Sequence, residues 1–313
     1  MMSTAFLKAL RKAFPQAQID AIVKEGFEKI PLPEVRRVIP FNKKEISAGA
    51  FGKRLRNQGY DAFFILPPSF SAAWMAFSSR IPHRIGYHHG MRGLLLNPAV
   101  SYKHKPRSQH LIQEYLDLLN LSYDKCEFYP QVNVNEDWID ENIPGPLREG
   151  EVNWLALAPG STYGSSKAWP VEYYRDLTRR FHKCGLRVIV LGSKEEEELG
   201  RIIADQESGA LNLCGKTSIT ALIATLTRVR LLIANDSGLS NVMAALQKPQ
   251  LTLFGSSSPV WSGPHNPHAK VLYKGLACSP CFEKECPLKH QNCLKTMEPQ
   301  EVFEAALRML QKN

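Results

Sequence analysis

No apolar run in this chain approaches the roughly 20 residues needed to cross a bilayer. The N-terminus lacks the charged, apolar and small-residue order of a secretory signal, so a spanning or exported protein is not expected and the cytoplasm is the default location. The spacing G-x-x-x-x-G-K-[ST] is absent, which removes the Walker class of phosphate loop. No nucleic-acid-binding motif or strip of stacking aromatics is present, and a nucleic-acid partner is not expected. Acidic residues are in deficit, 30 against 39 Lys plus Arg, and the resulting net charge of +9 points to an anionic partner such as a phosphorylated small molecule or an acidic membrane surface. Seven cysteines, an odd number, argue against a complete disulfide framework.

What is present is a soluble composition, 44% hydrophobic and 22% charged with a mean hydropathy of -0.25. At 313 residues the chain suits two domains of about 150 each. Its most informative stretch is Asn235-Asp236-Ser237-Gly238-Leu239-Ser240. The apolar run Val229 to Ala234 ahead of it lacks alternation and reads as a strand buried on both faces. A helical pattern, Asn241 to Leu246, follows and is closed by Pro249, after which Gln250 to Phe254 reads as a second buried strand. A strand, tight turn and helix N-terminus aim backbone N–H groups and the positive end of the helix dipole at one point, where an anion binds well. Asp236 and Ser237 are good cap residues, and Gly238 permits close approach to the backbone. An ordinary capped helix reads the same way, so this turn alone names no function.

Taken in order, the chain opens on an amphipathic helix with Phe6, Leu10 and Phe14 on one stripe, stopped by Pro15, and then a short strand, Ile19 to Val23. Phe51 to Gln58 reads as a basic helix, Asp61 to Leu66 as a buried strand and Ser71 to Ser78 as a further helix. The basic, histidine-bearing section from Arg80 to His110 is punctuated by Gly86, Gly90, Gly93, Pro98 and Pro106 and reads as loops, either a solvated face or a landing surface for an anionic acceptor. Within it Arg84, His88 and Arg92 are the candidate acceptor contacts. A helix is predicted from His110 to Leu121.

Two prolines and two glycines with charge between Glu141 and Gly150 mark a linker, giving domains of residues 1–145 and 151–313. Strand–helix alternation then restarts with strand Val152 to Ala158, helix Val171 to Lys183 and strand Arg187 to Leu191. Alternation in both halves implies two doubly wound parallel sheets, whose ligands bind at the carboxyl ends of the strands. There the loop Pro159 to Pro170 offers Gly160 and Gly164 for turns, the hydroxyls of Ser161, Thr162, Ser165 and Ser166, and the cation of Lys167. With the Asp236 to Ser240 turn it makes a plausible diphosphate cradle, hydroxyls and N–H groups holding oxygens while Lys167 offsets charge on a leaving phosphate.

The strings PGSTYGSSKAWP, LGSKEEE, ANDSGLSNVMAAL and LFGSSSPVWSGP, in this order and spacing, resemble the lipopolysaccharide heptosyltransferase family, most of all its heptosyltransferase II members. The N-terminal strings YDAFFILPPSFSAA, SRIPHRIGY and HLIQEYLDLL resemble the same family, so the likeness covers almost the whole chain. It implies a GT-B fold of two Rossmann-like domains and an inverting, metal-independent transfer of heptose with no cofactor. ADP-heptose would be held mainly by the C-terminal domain. The N-terminal domain would hold the inner core of lipid A, in peripheral contact with the anionic inner membrane at its cytoplasmic face. Ser161, Thr162 and Lys167 match the family's phosphate loop, Asp236, Ser237, Gly238 and Leu239 its second phosphate site, and Glu195 or Glu196 its ribose contact.

Two departures stand out. Family members begin with a buried strand and a Gly-Asp pair ahead of the helix that here starts at Met2, the aspartate being the general base for the acceptor hydroxyl. The sequence has neither, and the expectation is a reading frame opened too late or a degraded, nucleotide-binding paralogue; the first sheet would then have an empty slot with unpaired backbone groups. Asn241 stands where the family commonly has histidine. Another nucleotide sugar is also compatible, since phosphate contacts do not read the sugar. Finally, Cys278, Cys281, Cys286 and Cys293, with His290 among them, read either as a tetrahedral zinc site or as reduced structural thiols, and the resemblance implies no metal there. The closing helix, Pro299 to Leu310, is expected to pack back across the domain boundary.

Overall fold

The computed structural model describes residues 1–120, 127–148, 153–205 and 209–311. They form two compact units, Ser3–Phe128 and Tyr129–Asn313, the latter with Met1 and Met2.

The first unit runs α1 (Ser3–Ala13), β1 (Asp20–Lys24), β2 (Arg37–Phe41), α2 (Ala48–Arg54), β3 (Ala62–Ile65), α3 (Phe70–Ser79), β4 (His83–Tyr87), a 3-10 turn (Gly90–Leu95), β5 (Ala99–Val100) and α4 (Leu111–Asp117). Its strands pair in parallel in two pieces, β1-β2 and β3-β4-β5, and among the described residues no ladder joins them. The two pieces nevertheless share one core, in which Phe51, Leu55 and Met75 gather Ile22 of β1, Ile39 of β2 and Phe63 of β3. A second core, in which Phe6, Leu10, Ile19, Tyr87 and Leu118 gather Phe64 and Ile85, draws its strand residues from β3, β4 and β5. Phe14, expected on the buried stripe of α1, lies past the helix end and is exposed. The section expected to be loops contains β4, whose basic residues mask the strand pattern. Arg84 folds back to donate to the carbonyls of Ile81 (2.6 Å) and Leu95 (3.0 Å), so its charge serves local backbone.

The second unit runs α5 (Glu136–Asn142), β6 (Trp154–Ala158), α6 (Val171–Lys183), β7 (Arg187–Val190), α7 (Glu197–Ile203), β8 (Leu211–Asn212), α8 (Ile219–Thr227), β9 (Leu231–Asn235), α9 (Gly238–Ala245), β10 (Gln250–Phe254), α10 (Pro259–Ser262), β11 (Ala269–Tyr273), α11 (Asn292–Lys295) and α12 (Pro299–Leu310). One parallel sheet has the order β11-β10-β9-β6-β7-β8. Strands β6, β9 and β10 are buried along their whole length, as their continuous apolar runs require. The N-terminal end of the first of them, expected from Val152, lies outside the described residues.

The unit boundary falls at 128/129, ahead of the proline- and glycine-rich stretch expected to set it at 145. The reason is α5, which belongs with α8: Arg228 just past α8 pairs with Glu136 at 2.6 Å and Asp140 at 3.1 Å. Helix α12 belongs to the Tyr129–Asn313 unit. It buries Val302, Ala305 and Ala306 in its own unit's core and sets Phe303 5.2 Å from Phe181 of α6.

Candidate functional site

Strands β6 and β9 are parallel neighbours, so the loops that follow them leave the same end of the sheet. The last residue of β9, Asn235, is fully buried and joins those loops. Its Oδ1 accepts from the Trp169 N–H at 3.2 Å and the Tyr174 hydroxyl at 3.0 Å, and its Nδ2 donates to the Pro159 carbonyl at 2.5 Å. One amide therefore fixes both ends of the Pro159 to Pro170 loop. In the sequence Asn235 opens the informative turn without a role of its own, although a polar residue closing an apolar strand is a usable signal.

The next residue carries the charge. Asp236 is 9% exposed, and its Oδ2 accepts from Lys167 Nζ at 2.5 Å and Ser257 Oγ at 2.6 Å. Lys167 also lies 4.8 Å from the centroid of the Tyr163 ring. The expectation that Asp236 caps the helix is corrected: its carboxylate is turned to a lysine 69 residues away, and Ser237 takes the N-cap position of α9. Ser237 makes no cap bond with its side chain; its Oγ and that of Ser161 are buried without a partner among the described residues. Two oriented hydroxyls and the N-terminus of α9 are thus available to an anion. Gly238, first residue of α9, is exposed with open space where a Cβ would stand. Helix α9 is seated by Ser240, which bonds the Thr252 hydroxyl at 3.0 Å and the Gln250 side chain at 3.3 Å, both on β10.

The loop after β7 closes the other side. Of the two candidate glutamates, Glu195 is exposed while Glu196 accepts from the Ser193 N–H at 2.7 Å, and a Cβ on Gly160 would stand 1.7 Å from its carboxylate. Only glycine at 160 admits Glu196 to the strand ends. Burial, and next the charge of Glu196, push the Cys214 thiol up to about 11. Thr162 is exposed on the β6 loop and Leu239 is half-buried on α9.

Serines 256 and 257, after β10, complete the wall. Ser256 Oγ lies 2.9 Å from Ser166 Oγ, and Ser257 is the second donor to Asp236. The cysteine-bearing segment splints the same loop from outside. The Ser166 N–H donates to the Lys284 carbonyl at 3.0 Å, Tyr163 Oη donates to the Phe282 carbonyl at 2.5 Å, and a Cβ on Gly164 would strike the Lys284 carbonyl at 2.2 Å. Cys278, Cys281, Cys286 and Cys293 are free and line one cavity with His290. Among the described residues no three His, Cys, Asp or Glu side chains come together as an ion would require. Asn241 donates to the Ser237 carbonyl at 3.3 Å, within its own helix.

The expected acceptor residues lie in the other unit. Arg92 is 3% exposed; its Nη1 donates to the Pro67 carbonyl at 3.0 Å, Nε and Nη2 have no partner among the described residues, and burial pulls the guanidinium below its ordinary value. His88 is exposed with its ring over Gly93, and Arg84 is spent on backbone carbonyls.

A model of glycosyltransferase family 9 (heptosyltransferase) matches residues 48–292, which include Lys167, Asp236 and the hydroxyls around them. The chain belongs to glycosyltransferase family 9. It is 29% identical over 298 residues to lipopolysaccharide heptosyltransferase 2 of Salmonella typhimurium, covering 87% of this chain and 84% of that one. The structure of E. coli ADP-heptose lipopolysaccharide heptosyltransferase II superposes with a TM-score of 0.85 at 26% identity, over 99% of this chain and 95% of that one. E. coli heptosyltransferase WaaC with ADP superposes with a TM-score of 0.73 at 21% identity, over 98% and 96%, a likeness of fold. This family 9 glycosyltransferase therefore has the GT-B fold of two Rossmann-like domains, as its strings implied.

Proposed function

We propose that this glycosyltransferase moves heptose from ADP-heptose to the inner core of lipopolysaccharide, with inversion at the anomeric carbon and without a metal ion. The observation that carries the reading is the convergence of Lys167, Asp236 and the N-terminus of α9 beside two unpartnered buried hydroxyls. A diphosphate needs such an array. Backbone N–H groups at Gly238 and Leu239 and the hydroxyls of Ser161, Thr162 and Ser237 hold its oxygens. Lys167, aimed by Asp236, offsets the charge that develops as the sugar–phosphate bond breaks. A lysine and a helix N-terminus supply the positive field that a divalent ion gives elsewhere. Glu196, rather than Glu195, takes the ribose hydroxyls. Relatives named for heptose transfer to lipopolysaccharide support the donor and acceptor, and a neighbour's bound ADP supports the nucleotide. His88 and Arg92, whose Nε and Nη2 have no partner among the described residues, belong to the acceptor side while Arg84 braces the backbone beside them, and the enzyme works at the cytoplasmic face of the inner membrane.

The test is transfer from ADP-heptose to a heptose-acceptor core, read as product mass, ADP release and anomeric configuration, with UDP- and GDP-sugars as competing donors. A heptosylated product of inverted configuration formed in chelator is expected. ADP binding without transfer from any donor would leave a nucleotide-binding paralogue, and transfer from another nucleotide sugar alone would replace the donor.

A further inference from the structure

Helix α3 of the first unit is unusual in what it leaves uncovered. Ala73, Met75, Ala76, Ser78 and Ser79 are buried, and the opposite stripe, at i, i+4 and i+7, is Phe70 (55% exposed), Trp74 (42%) and Phe77 (43%). Trp74 and Phe77 stack with centroids 5.7 Å apart. The 3-10 turn Gly90–Leu95 packs on the same helix and adds Met91 at 76% and Leu94 at 82% exposure. Five large apolar side chains therefore stand in water on one compact stretch, where a soluble surface ordinarily scatters them singly.

The charge around them is one-sided. Between Ser47 and Arg107 the sequence has nine lysines and arginines against a single acid, Asp61, which amounts to +8 of the chain's net +9. Two of these cations sit at the patch itself: Arg80 is exposed at the end of α3, and the Arg84 guanidinium, although it also donates to the Ile81 and Leu95 carbonyls, is 5.8 Å from the Phe77 ring centroid. Arg56 is tied to the Ser78 carbonyl at 2.9 Å, on the buried side of α3. Lys53 and Arg54 are exposed on α2, which Gly49 and Gly52 allow to lie directly against α3: a Cβ at Gly52 would stand 2.1 Å from the Met75 carbonyl. Aromatic, Met and Leu side chains rimmed by Lys and Arg match the chemistry of an anionic bilayer surface, with apolar groups entering the headgroup boundary and cations meeting lipid phosphates. No helix of the described residues is long and apolar enough to cross a membrane.

We infer that the outward face of α3 with the Gly90–Leu95 turn is a monotopic docking surface for anionic phospholipid. The inference deepens the membrane part of the proposed function and rests on it for which membrane is met. The test uses the full chain with vesicles of phosphatidylcholine alone and of equal parts phosphatidylcholine and phosphatidylglycerol, scored by flotation in the absence of donor and acceptor. Binding to the mixed vesicles only, weakened by salt, is expected. Replacing Met91→Ser and Leu94→Ser together should weaken it at least about tenfold, as should Phe70→Ser in a separate variant, which guards against one variant failing to fold. Brominated mixed lipid should quench the tryptophan fluorescence of the wild type, and Trp74→Phe should abolish most of that quenching. Equal binding of wild type and both variants, quenching that survives Trp74→Phe, or no preference for the anionic vesicles would overturn the inference; in the last case the patch would be left to a protein partner. Heptose transfer to a delipidated, soluble acceptor should be unchanged in the Met91/Leu94 variant. That arm separates the two readings, since lost vesicle binding with intact transfer bears on the surface and the reverse bears on the reaction.

Discussion

The two units solve one architectural problem with unequal means. In the Tyr129–Asn313 unit six parallel strands form one sheet, and β6, β9 and β10 have no residue outside the core. In the Ser3–Phe128 unit the sheet is in two pieces, and of the residues in β1, β2 and β3 only Ile65 is buried. Parallel strands depend on cover from both faces, so the first unit draws much less on its sheet and more on the helices around it. The array of lysine, aspartate and hydroxyls is built on the well-buried sheet. The basic residues, the aromatic face of α3 and the partly unpaired Arg92 lie on the other. Under the proposed function, a well-buried frame suits atoms that must meet a developing charge, and a less constrained one suits a bulky acceptor.

The sharpest way to break this comparison is to cut matched aromatic side chains. Phe181→Ala removes a fully buried ring of α6 and should cost about 3–5 kcal/mol. Phe64→Ala, on half-buried β3, should cost about 1–2 kcal/mol because its ring is already partly in water. Denaturant titrations with exchange resolved by unit would measure both, since a two-unit chain has no single unfolding free energy. Equal losses would remove the asymmetry. Next in size is Lys167→Ala, which should lower the transfer rate by about a hundred- to a thousandfold, near 3–4 kcal/mol of transition-state stabilisation. ADP affinity should fall much less, and an equal fall in both would recast Lys167 as a binding residue alone.

Much of the second unit was legible in the sequence, for a physical reason. Val171–Lys183, Gln250–Phe254 and Pro299–Leu310 have the expected bounds, because a proline beside each N-terminus and continuous apolar or amphipathic patterning decide them locally. Strand β4 was not legible: His83 and Arg84 make it look like a loop, and only the fold-back of Arg84 onto nearby carbonyls shows how a strand tolerates them. Lys167 and Asp236 were each singled out, but their pairing was not, because a cap and a long-range ion pair look alike in a string. Ser257 had no local signal beyond following a buried strand. The division at 128/129 was hidden by α5, whose membership is decided by Arg228, far along the chain.

The site's tie to the rigid sheet can be tested at Asn235. Asn235→Ala would leave the Trp169 N–H and the Tyr174 hydroxyl buried without acceptors and should cost about 2–3 kcal/mol. Because the same amide fixes the Lys167 loop, transfer should fall with stability. A variant that loses stability but keeps full activity would show that the loop is held by its cysteine-bearing splint instead.

The smallest effect belongs to the first unit and is read with pH. Asp20, on β1, is bonded by Arg36 Nε at 2.9 Å and Nη2 at 2.7 Å and by the Tyr60 hydroxyl at 2.6 Å, with Arg37 3.1 Å away. The Arg36 hydrogen bonds, aided by Tyr60 and the charge of both arginines, hold its carboxyl below the usual range against the opposing pull of burial. A carboxylate whose folded pKa is depressed stabilises the fold above its unfolded value, near 3.9, and that contribution is lost as pH falls through the lower folded value. Backbone amides of β1 and β2 should therefore lose exchange protection below about pH 4 while those of β6 and β9 keep theirs. Asp20→Asn should impose the same loosening at neutral pH, at about 1–2 kcal/mol because Arg36 and Arg37 are half in water. The sign is the discriminating feature: protection of β1 that rises on acidification would mean the network strains the first unit's sheet rather than holding it.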